Sequence, residues 1–554
     1  MSQNETHYKL RIIGLFALIT AMMLPLPAYA SFGVTSSGGF YIVDTGGGLV
    51  FRINQSNGDM TSVQLNGIEL NDQSKASGIA SGLGSATVTA TQFGSSYIKI
   101  TAQTSSSNTV VSNLTHYYIA RNGFNNIYMA TYATSEPAVG ELRYIFRAKF
   151  DELPNGPPHS NNNGNTGAIE SKDVFGHSGG TTSSKYYGNS RAIELTNSFQ
   201  GASGNGVGAW MYYGVNRESS SGGPFFHDIE NQGDGAGSDQ EIYNYMNSGH
   251  NQTEAYRMNV LNGPYALCIT SGGPPGSAPD LSFISTLGLT GYVSNSSRGF
   301  VFGKASGVLS GSQIVVGFSN SSAQYWVVAD PSTQNFSGPM MKTGSYTMTL
   351  YQGELPVAAK SITVNTGGNS ININSAFTQP TSIWQIGTWD GKPTEFLNGQ
   401  NINIMHPSDV RNSSWGPVTF NVGSSASSFP AVQFRGANTP TTIRFNLTSS
   451  QVANHTLRIG ITAAYNNGRP IITMNPGTSH AWTSADPGAT SQPKSRSITI
   501  GTYRGNEHIF TYSIPASAFV AGTNEMQISV ASGSSDLSNW LSASWAYDCI
   551  ELDN

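Results

Sequence analysis

Apolar residues recur at every second position in short runs along this chain, and that period excludes most folds before any motif is considered. Examples are Tyr97-Ile98-Lys99-Ile100-Thr101-Ala102, Asn126-Ile127-Tyr128-Met129-Ala130-Thr131-Tyr132, Ile443-Arg444-Phe445-Asn446-Leu447 and Met526-Gln527-Ile528-Ser529-Val530. Alternate residues of a strand face opposite sides, so each run offers one face to a core and one to solvent or another layer. Gly, Asn and Asp clusters separate the runs, as turns require. Sustained helical periodicity is absent, so any helices should be short. The pattern predicts an all-β chain of sandwiches or barrels.

At 554 residues the chain is too long for one core, and its length predicts about three domains. The clearest linker is Ser271-Gly272-Gly273-Pro274-Pro275-Gly276-Ser277-Ala278-Pro279, because adjacent prolines and glycines disfavour helix and central strand alike. It divides a large first domain, 31–282, from a second, 283–377, of the right size for one small sandwich. A third, 378–554, ends in short alternating strands that suit a jelly roll.

The first thirty residues read as a secretory signal peptide rather than as structure. Lys9 and Arg11 precede an apolar stretch from Ile12 to Leu24, and Pro25-Leu26-Pro27-Ala28-Tyr29-Ala30 supplies a small-x-small cleavage site. The stretch is short for a membrane span of roughly 20 residues, although an uncleaved anchor is the alternative reading. The expectation is a secreted, extracellular monomer. Charged residues are only 11% of the chain and the net charge is −5. No polybasic run points to nucleic acid or a membrane surface. Cys268 and Cys549 lie far apart. A disulfide between them is permitted in an exported protein, and two buried thiols serve equally well.

Polar residues that can carry chemistry concentrate before the linker, in Leu142-Arg143-Tyr144-Ile145-Phe146-Arg147, Ser184-Lys185-Tyr186-Tyr187, Gly222-Gly223-Pro224-Phe225-Phe226-His227-Asp228 and the segment 238–257. Consider what an acidic polysaccharide needs. In β-elimination from a uronate, a base removes the proton at C5 and the bond from C4 to its oxygen breaks. Extra negative charge develops on the carboxylate. The site therefore needs cations for that carboxylate, a neutral base and an acid for the leaving oxygen. Arg143 and Arg147 are four apart, so on a strand they share a face and can clamp a carboxylate; a solvated sheet face fits the same spacing. Lys185 can act as base if burial or the two arginines lower its affinity for a proton, and is otherwise a surface lysine. His250 can give a proton to the leaving oxygen or serve as a structural histidine. Tyr243 and Tyr245 share a strand face, which suits sugar stacking or packing. Asp228, Asp234, Asp239 and Glu241 form an acidic cluster that can hold structural calcium or simply line a turn. Metal and nucleophile motifs of the familiar kinds are absent from the sequence.

Several of these stretches resemble the rhamnogalacturonan lyases of polysaccharide lyase family 4. The resemblance rests on Ser221-Gly222-Gly223-Pro224-Phe225-Phe226, Lys185-Tyr186-Tyr187, and the 243–254 segment with Asn247-Ser248-Gly249-His250. It continues through Gly291-Tyr292-Val293, Ser296-Ser297-Arg298-Gly299, Ile386-Gly387-Thr388-Trp389-Asp390-Gly391-Lys392-Pro393, Met405-His406-Pro407-Ser408-Asp409 and Asp548-Cys549-Ile550-Glu551-Leu552. It implies a catalytic β-sandwich, a fibronectin-III-like sandwich and a carbohydrate-binding-like jelly roll. It also implies cleavage of the rhamnose-(1→4)-galacturonate bond of the rhamnogalacturonan I backbone, leaving an unsaturated galacturonate. On this resemblance Lys185 is the base, His250 the proton donor, Arg143 and Arg147 the carboxylate ligands, and Tyr243 and Tyr245 substrate contacts. No cofactor is required for that chemistry. Fungal relatives carry disulfides in the first domain, where this chain has Cys268 alone. The sequon Asn251-Gln252-Thr253 would place a glycan beside His250. Both differences favour a bacterial host. Two other readings compete. A glycoside hydrolase would recruit acids such as Glu241 and Glu254, and the other reading is a non-catalytic pectin-binding protein; under any of them the third domain can bind sugar, with Trp389 and Trp415 serving as platforms or as buried packing residues.

Overall fold

Alternation in the sequence becomes alternation in burial. Along Tyr97–Gln103 the side chains of Ile98, Ile100 and Ala102 are buried while their neighbours are not. Gly522–Ala531 repeats the pattern with Asn524, Met526, Ile528 and Val530. The computed structural model describes residues 31–554 apart from 81, 138–139, 189–198, 226–227, 249, 251–255, 478–479 and 486–496. The proposed signal peptide, the sequon at Asn251 and Glu254 therefore lie outside the described residues. Among the described residues helix is confined to single turns, and no helix is long and apolar enough to cross a membrane.

The first body is a two-layer sandwich. One layer is a seven-stranded antiparallel sheet containing Tyr97–Gln103, Thr115–Arg121, Asn126–Ala133 and Val260–Thr270. The other combines a five-stranded meander, residues 33–69, with a four-stranded sheet built on Glu141–Lys149 and Asp239–Ser248. Phe51, Ile53 and Val63 meet Ile98, Ile100, Met129 and Leu267 between the layers, together with Leu142, Tyr144 and Phe146. Period two then sends Glu141, Arg143, Ile145 and Arg147 to the outer face of the four-stranded sheet.

The first boundary differs from the sequence expectation. After the Pro- and Gly-rich segment the chain returns to the first body. Phe283, Ile284, Leu287 and Leu289 bury themselves on the outer face of the seven-stranded sheet, with Phe283 stacked on Tyr97 at 4.7 Å. With these apolar side chains buried against the first body, the second begins later, with the strand Arg298–Ser306.

The second body is a small sandwich of a five-stranded and a four-stranded sheet, closed on Val301, Val316, Phe318, Met348 and Leu350. The third packs two five-stranded sheets face to face. Trp389 and Cys549 of the third body lie in the apolar cluster of the second. Trp389 is fully buried, its ring against Phe377 and its Nε1–H donating to Glu551. It is a domain-joining residue, not an exposed sugar platform. Trp415 is partly buried against the third core, with Phe434 and Trp540 on its ring. Cys268 and Cys549 are both buried free thiols, one in each of two separate bodies.

Candidate active site

The site grows from one register. On the outer face of the four-stranded sheet Arg143 lies opposite Tyr245, Ile145 opposite Tyr243, and Arg147 opposite Glu241. Cross-strand neighbours on one face are close enough to pair, and they do. Arg143 Nη1 donates to Tyr245 Oη at 2.6 Å, and Arg147 Nε to Glu241 Oε1 at 3.1 Å. A bulge then shifts the register, so that Ser248, rather than Asn247, opposes Glu141. An extra residue bends and re-aims a strand. Here it carries the chain that leads to His250 over Glu141.

His250 is held at both ring nitrogens. Nε2 lies 2.8 Å from Glu141 Oε1, and Nδ1 lies 3.2 Å from Asp228 Oδ1 and 2.9 Å from Ser248 Oγ. Burial on its own would push the imidazole toward its neutral form. The two carboxylates outweigh it and raise the pKa to about 10. The reciprocal effect appears on Glu141, where burial is again opposed and the bond to His250 prevails, holding the carboxyl below its usual range. Glu141 also accepts from Arg143 and from Tyr245 Oη. Asp228 is fully buried. The result is an imidazolium that keeps its proton at neutral pH and remains partly exposed, with 26% of its side-chain surface open.

Lys185 opens a single helical turn, Lys185–Gly188, directly after the short strand Thr182–Ser184. Its Nζ donates to Asp173 Oδ1 at 2.9 Å, and its backbone N–H to the Asp173 carbonyl. The expectation that Arg143 and Arg147 supply the charge beside Lys185 is corrected: the charge in contact is a carboxylate, and the arginines are bonded to Glu141 and Glu241. Tyr186 connects the two halves. Its ring meets His250 edge-on at 5.6 Å. Its phenol is pushed well up, by burial first and then by the charges of Asp228 and Asp173.

Two further expectations change. Arg143 and Arg147 share a face, but positions four apart on a strand are separated by about 13 Å. Within the protein Arg143 is paired with Glu141, and Arg147 with Glu241. Tyr243 and Tyr245 are 4% and 0% exposed, so their faces are not a sugar platform. They stack on each other at 5.4 Å and turn their hydroxyls to polar work. Tyr243 Oη donates to Glu241 and accepts from Gln232 Nε2. Burial pushes both phenols well up, which keeps them neutral donors.

The acidic cluster is divided. Asp228 serves His250, Glu241 serves Arg147, and Lys75 Nζ sits 2.6 Å from Asp234 and 2.8 Å from Asp239. Asp239 is pushed up to about 7, by burial first and then by Asp234. Among the described residues no group of three or more His, Cys, Asp or Glu side chains is gathered as a metal would need. Lys75 thus pairs with two of the four acids considered for calcium. Glu141 and Asp173 escaped the sequence reading. Glu141 carried a signal, lying two before Arg143 on a predicted strand; Asp173 carried none.

Arg143 stands on the outer face of the four-stranded sheet with the His250 imidazolium beside it, and the turn that opens with Lys185 packs on the same face through Tyr186 and Tyr187; such a set of groups can hold an anion and move protons. Known proteins place that build. Residues 32–291 match the family described as rhamnogalacturonan lyase B, N-terminal. Residues 297–372 and 382–552 match domains II and III of polysaccharide lyase family 4. Rhamnogalacturonate lyase A of Aspergillus aculeatus is 44% identical over 532 residues, covering 95% of this chain and 97% of the relative. Rhamnogalacturonate lyase A of Emericella nidulans is 44% identical over 543 residues, covering 97% and 99%. The protein is thus a polysaccharide lyase. It belongs to polysaccharide lyase family 4.

Proposed function

We propose that this lyase acts on rhamnogalacturonan I, the branched backbone of pectin. It cuts the rhamnose-(1→4)-galacturonate bond by β-elimination and leaves an unsaturated galacturonate at the new non-reducing end. The observation that carries the chemistry is the imidazolium of His250 between Glu141 and Asp228. Lys185 enters as the neutral amine, its ammonium proton having passed by way of Asp173 Oδ1, to which it is bonded, to solvent, and its Nζ then takes the C5 proton. The electron pair forms the C4–C5 double bond, the C4–oxygen bond breaks, and the leaving oxygen takes the proton from His250 Nε2, which exchanges Glu141 for it. Arg143 offsets charge on the uronate carboxylate, with Tyr245 holding the guanidinium. Arg147 serves further along the strand, and Tyr243 orders Glu241 beside it. No cofactor enters these steps. The reading places the monomer outside the cell, on the strength of the leader seen in residues 1–30.

A hydrolase requires one protonated carboxyl group as acid. Glu141 is held below its usual range and, like Asp228, is bonded to the same imidazolium. That favours elimination. The test is ultraviolet absorbance during turnover of de-branched rhamnogalacturonan I, beside homogalacturonan, added chelator, Lys185→Ala and His250→Ala. The expected result is rising absorbance of a conjugated uronate on the first substrate only, insensitive to chelator and lost in both variants. New reducing ends without absorbance would establish hydrolysis. Binding without turnover would leave a pectin-binding protein.

A further inference from the structure

The chain that carries Lys185 is bonded to the third body on both sides of that lysine. Before it, Thr182 gives its backbone N–H and its hydroxyl to Asp409 Oδ2, at 2.7 and 2.8 Å. The backbone N–H of His406 donates to Thr182 Oγ1 at 3.1 Å. After it, Tyr187 Oη donates to the carbonyl of Thr499 at 3.2 Å. The third body also grips Glu170, on the strand Gly167–Glu170 of the same small sheet. His406 Nε2 lies 3.1 Å from one of its oxygens, and Thr499 Oγ1 donates to the other at 2.7 Å. The side chains of Asp409 and Glu170 are fully buried, so these bonds are shielded from water and costly to leave unmade. Ile500 completes the grip, packed in one apolar cluster with Tyr186, Tyr187, Tyr243 and Tyr245.

The segment needs such support. Its three-stranded sheet has strands of only 4, 3 and 3 residues, and pieces that short do not hold their own geometry. Asp409 is itself anchored, by Arg411 at 2.8 and 2.7 Å. Val410 N–H reaches the carbonyl of Gly180 in the adjoining turn.

We infer that the third body is a positioning element of the active site, with Asp409 and His406 fixing the Thr182–Ser184 strand and through it the placement of Lys185. The inference rests on the proposed role of Lys185 as base. Neither Asp409 nor His406 need touch substrate; they act through the backbone that leads into the lysine.

The full-length protein tests this with Thr182→Val, Asp409→Ala, Asp409→Asn and Lys185→Ala. A displaced base loses rate far more than binding, since small misplacements at a reacting centre cost up to about a hundredfold. The expected result is a fall in kcat of about tenfold or more for Thr182→Val and Asp409→Ala, with KM nearly unchanged and unfolding temperatures close to the parent. Asp409→Asn should recover part of kcat, because its amide oxygen still accepts the Thr182 N–H. If Asp409→Ala does not fold, the near-isosteric Thr182→Val decides the question. Parental kcat in a folded Thr182→Val or Asp409→Ala protein, with Lys185→Ala inactive, would overturn the positioning role and leave the lyase mechanism standing. Turnover surviving in Lys185→Ala would overturn both.

Discussion

His250 Nε2 lies 2.8 Å from Glu141 Oε1, and Glu141 shares a strand face with Arg143. The proposed proton donor and the proposed carboxylate ligand are thereby joined through one acidic side chain. Glu141→Gln removes a charge from both. The expected outcome is a loss of kcat of about a hundredfold, within the range for general acid catalysis, with the alkaline limb of the pH–rate profile moved downward. Steady-state rates across pH read both effects.

Asp228 governs the same imidazole from its other nitrogen. The folded pKa of His250 is raised to about 10 from 6.5. Its proton therefore adds stability that is fully present below pH 6.5 and is lost as pH rises through 10. Asp228→Asn should bring the folded value down, flatten the decline in unfolding temperature over that window, and move the alkaline limb of activity with it. An imidazole titration by NMR measures the shift directly; an unmoved titration refutes the assignment.

Tyr245 keeps its ring in the core and its hydroxyl on Arg143. Tyr245→Phe deletes only the hydroxyl. A hydrogen bond to a charged group contributes about 1.5–3 kcal/mol, so kcat/KM should drop roughly tenfold to a hundredfold while circular dichroism stays as in the parent.

Trp389 separates two readings of an aromatic residue in a carbohydrate-active chain. A Cβ on Gly460 would lie 2.4 Å from its ring, a measure of how tightly it is enclosed. Trp389→Ala should cost about 3–5 kcal/mol, read as a lower unfolding temperature of the second and third bodies. The affinity of the remaining folded protein for polysaccharide should not change. A selective loss of sugar binding would restore the platform role.

Cys268 and Cys549 should remain thiols. Burial pushes Cys268 up to about 12 and holds Cys549 well above the usual thiol range, so neither forms the reactive thiolate at neutral pH. A thiol reagent should titrate both residues only after denaturation, and reductant should leave the unfolding temperature unaltered.

Period two is a local property, and everything that depends on it alone could be read from the chain. The all-β class, the short helices, the shared face of Arg143 with Arg147 and that of Tyr243 with Tyr245 all follow from residues close in sequence. Lys185 and His250 were legible as candidates, because their neighbours resemble a known family and their chemistry suits elimination. What the tertiary structure alone decided concerns residues that meet across long stretches of chain. The bulge opposite Leu142 aims His250 at Glu141. Asp173 turns back to Lys185 across a hairpin. The apolar residues 283–289 return to the first sheet because a buried face is available there. The third body reaches Thr182 through Asp409. No periodicity encodes such partners, since each depends on where two distant backbones come to rest. The paired tyrosines show the division most plainly: alternation placed both rings on one face, and only the packing of Val174, Tyr186, Tyr187, Ile229 and Ile500 over them determined that the face is closed.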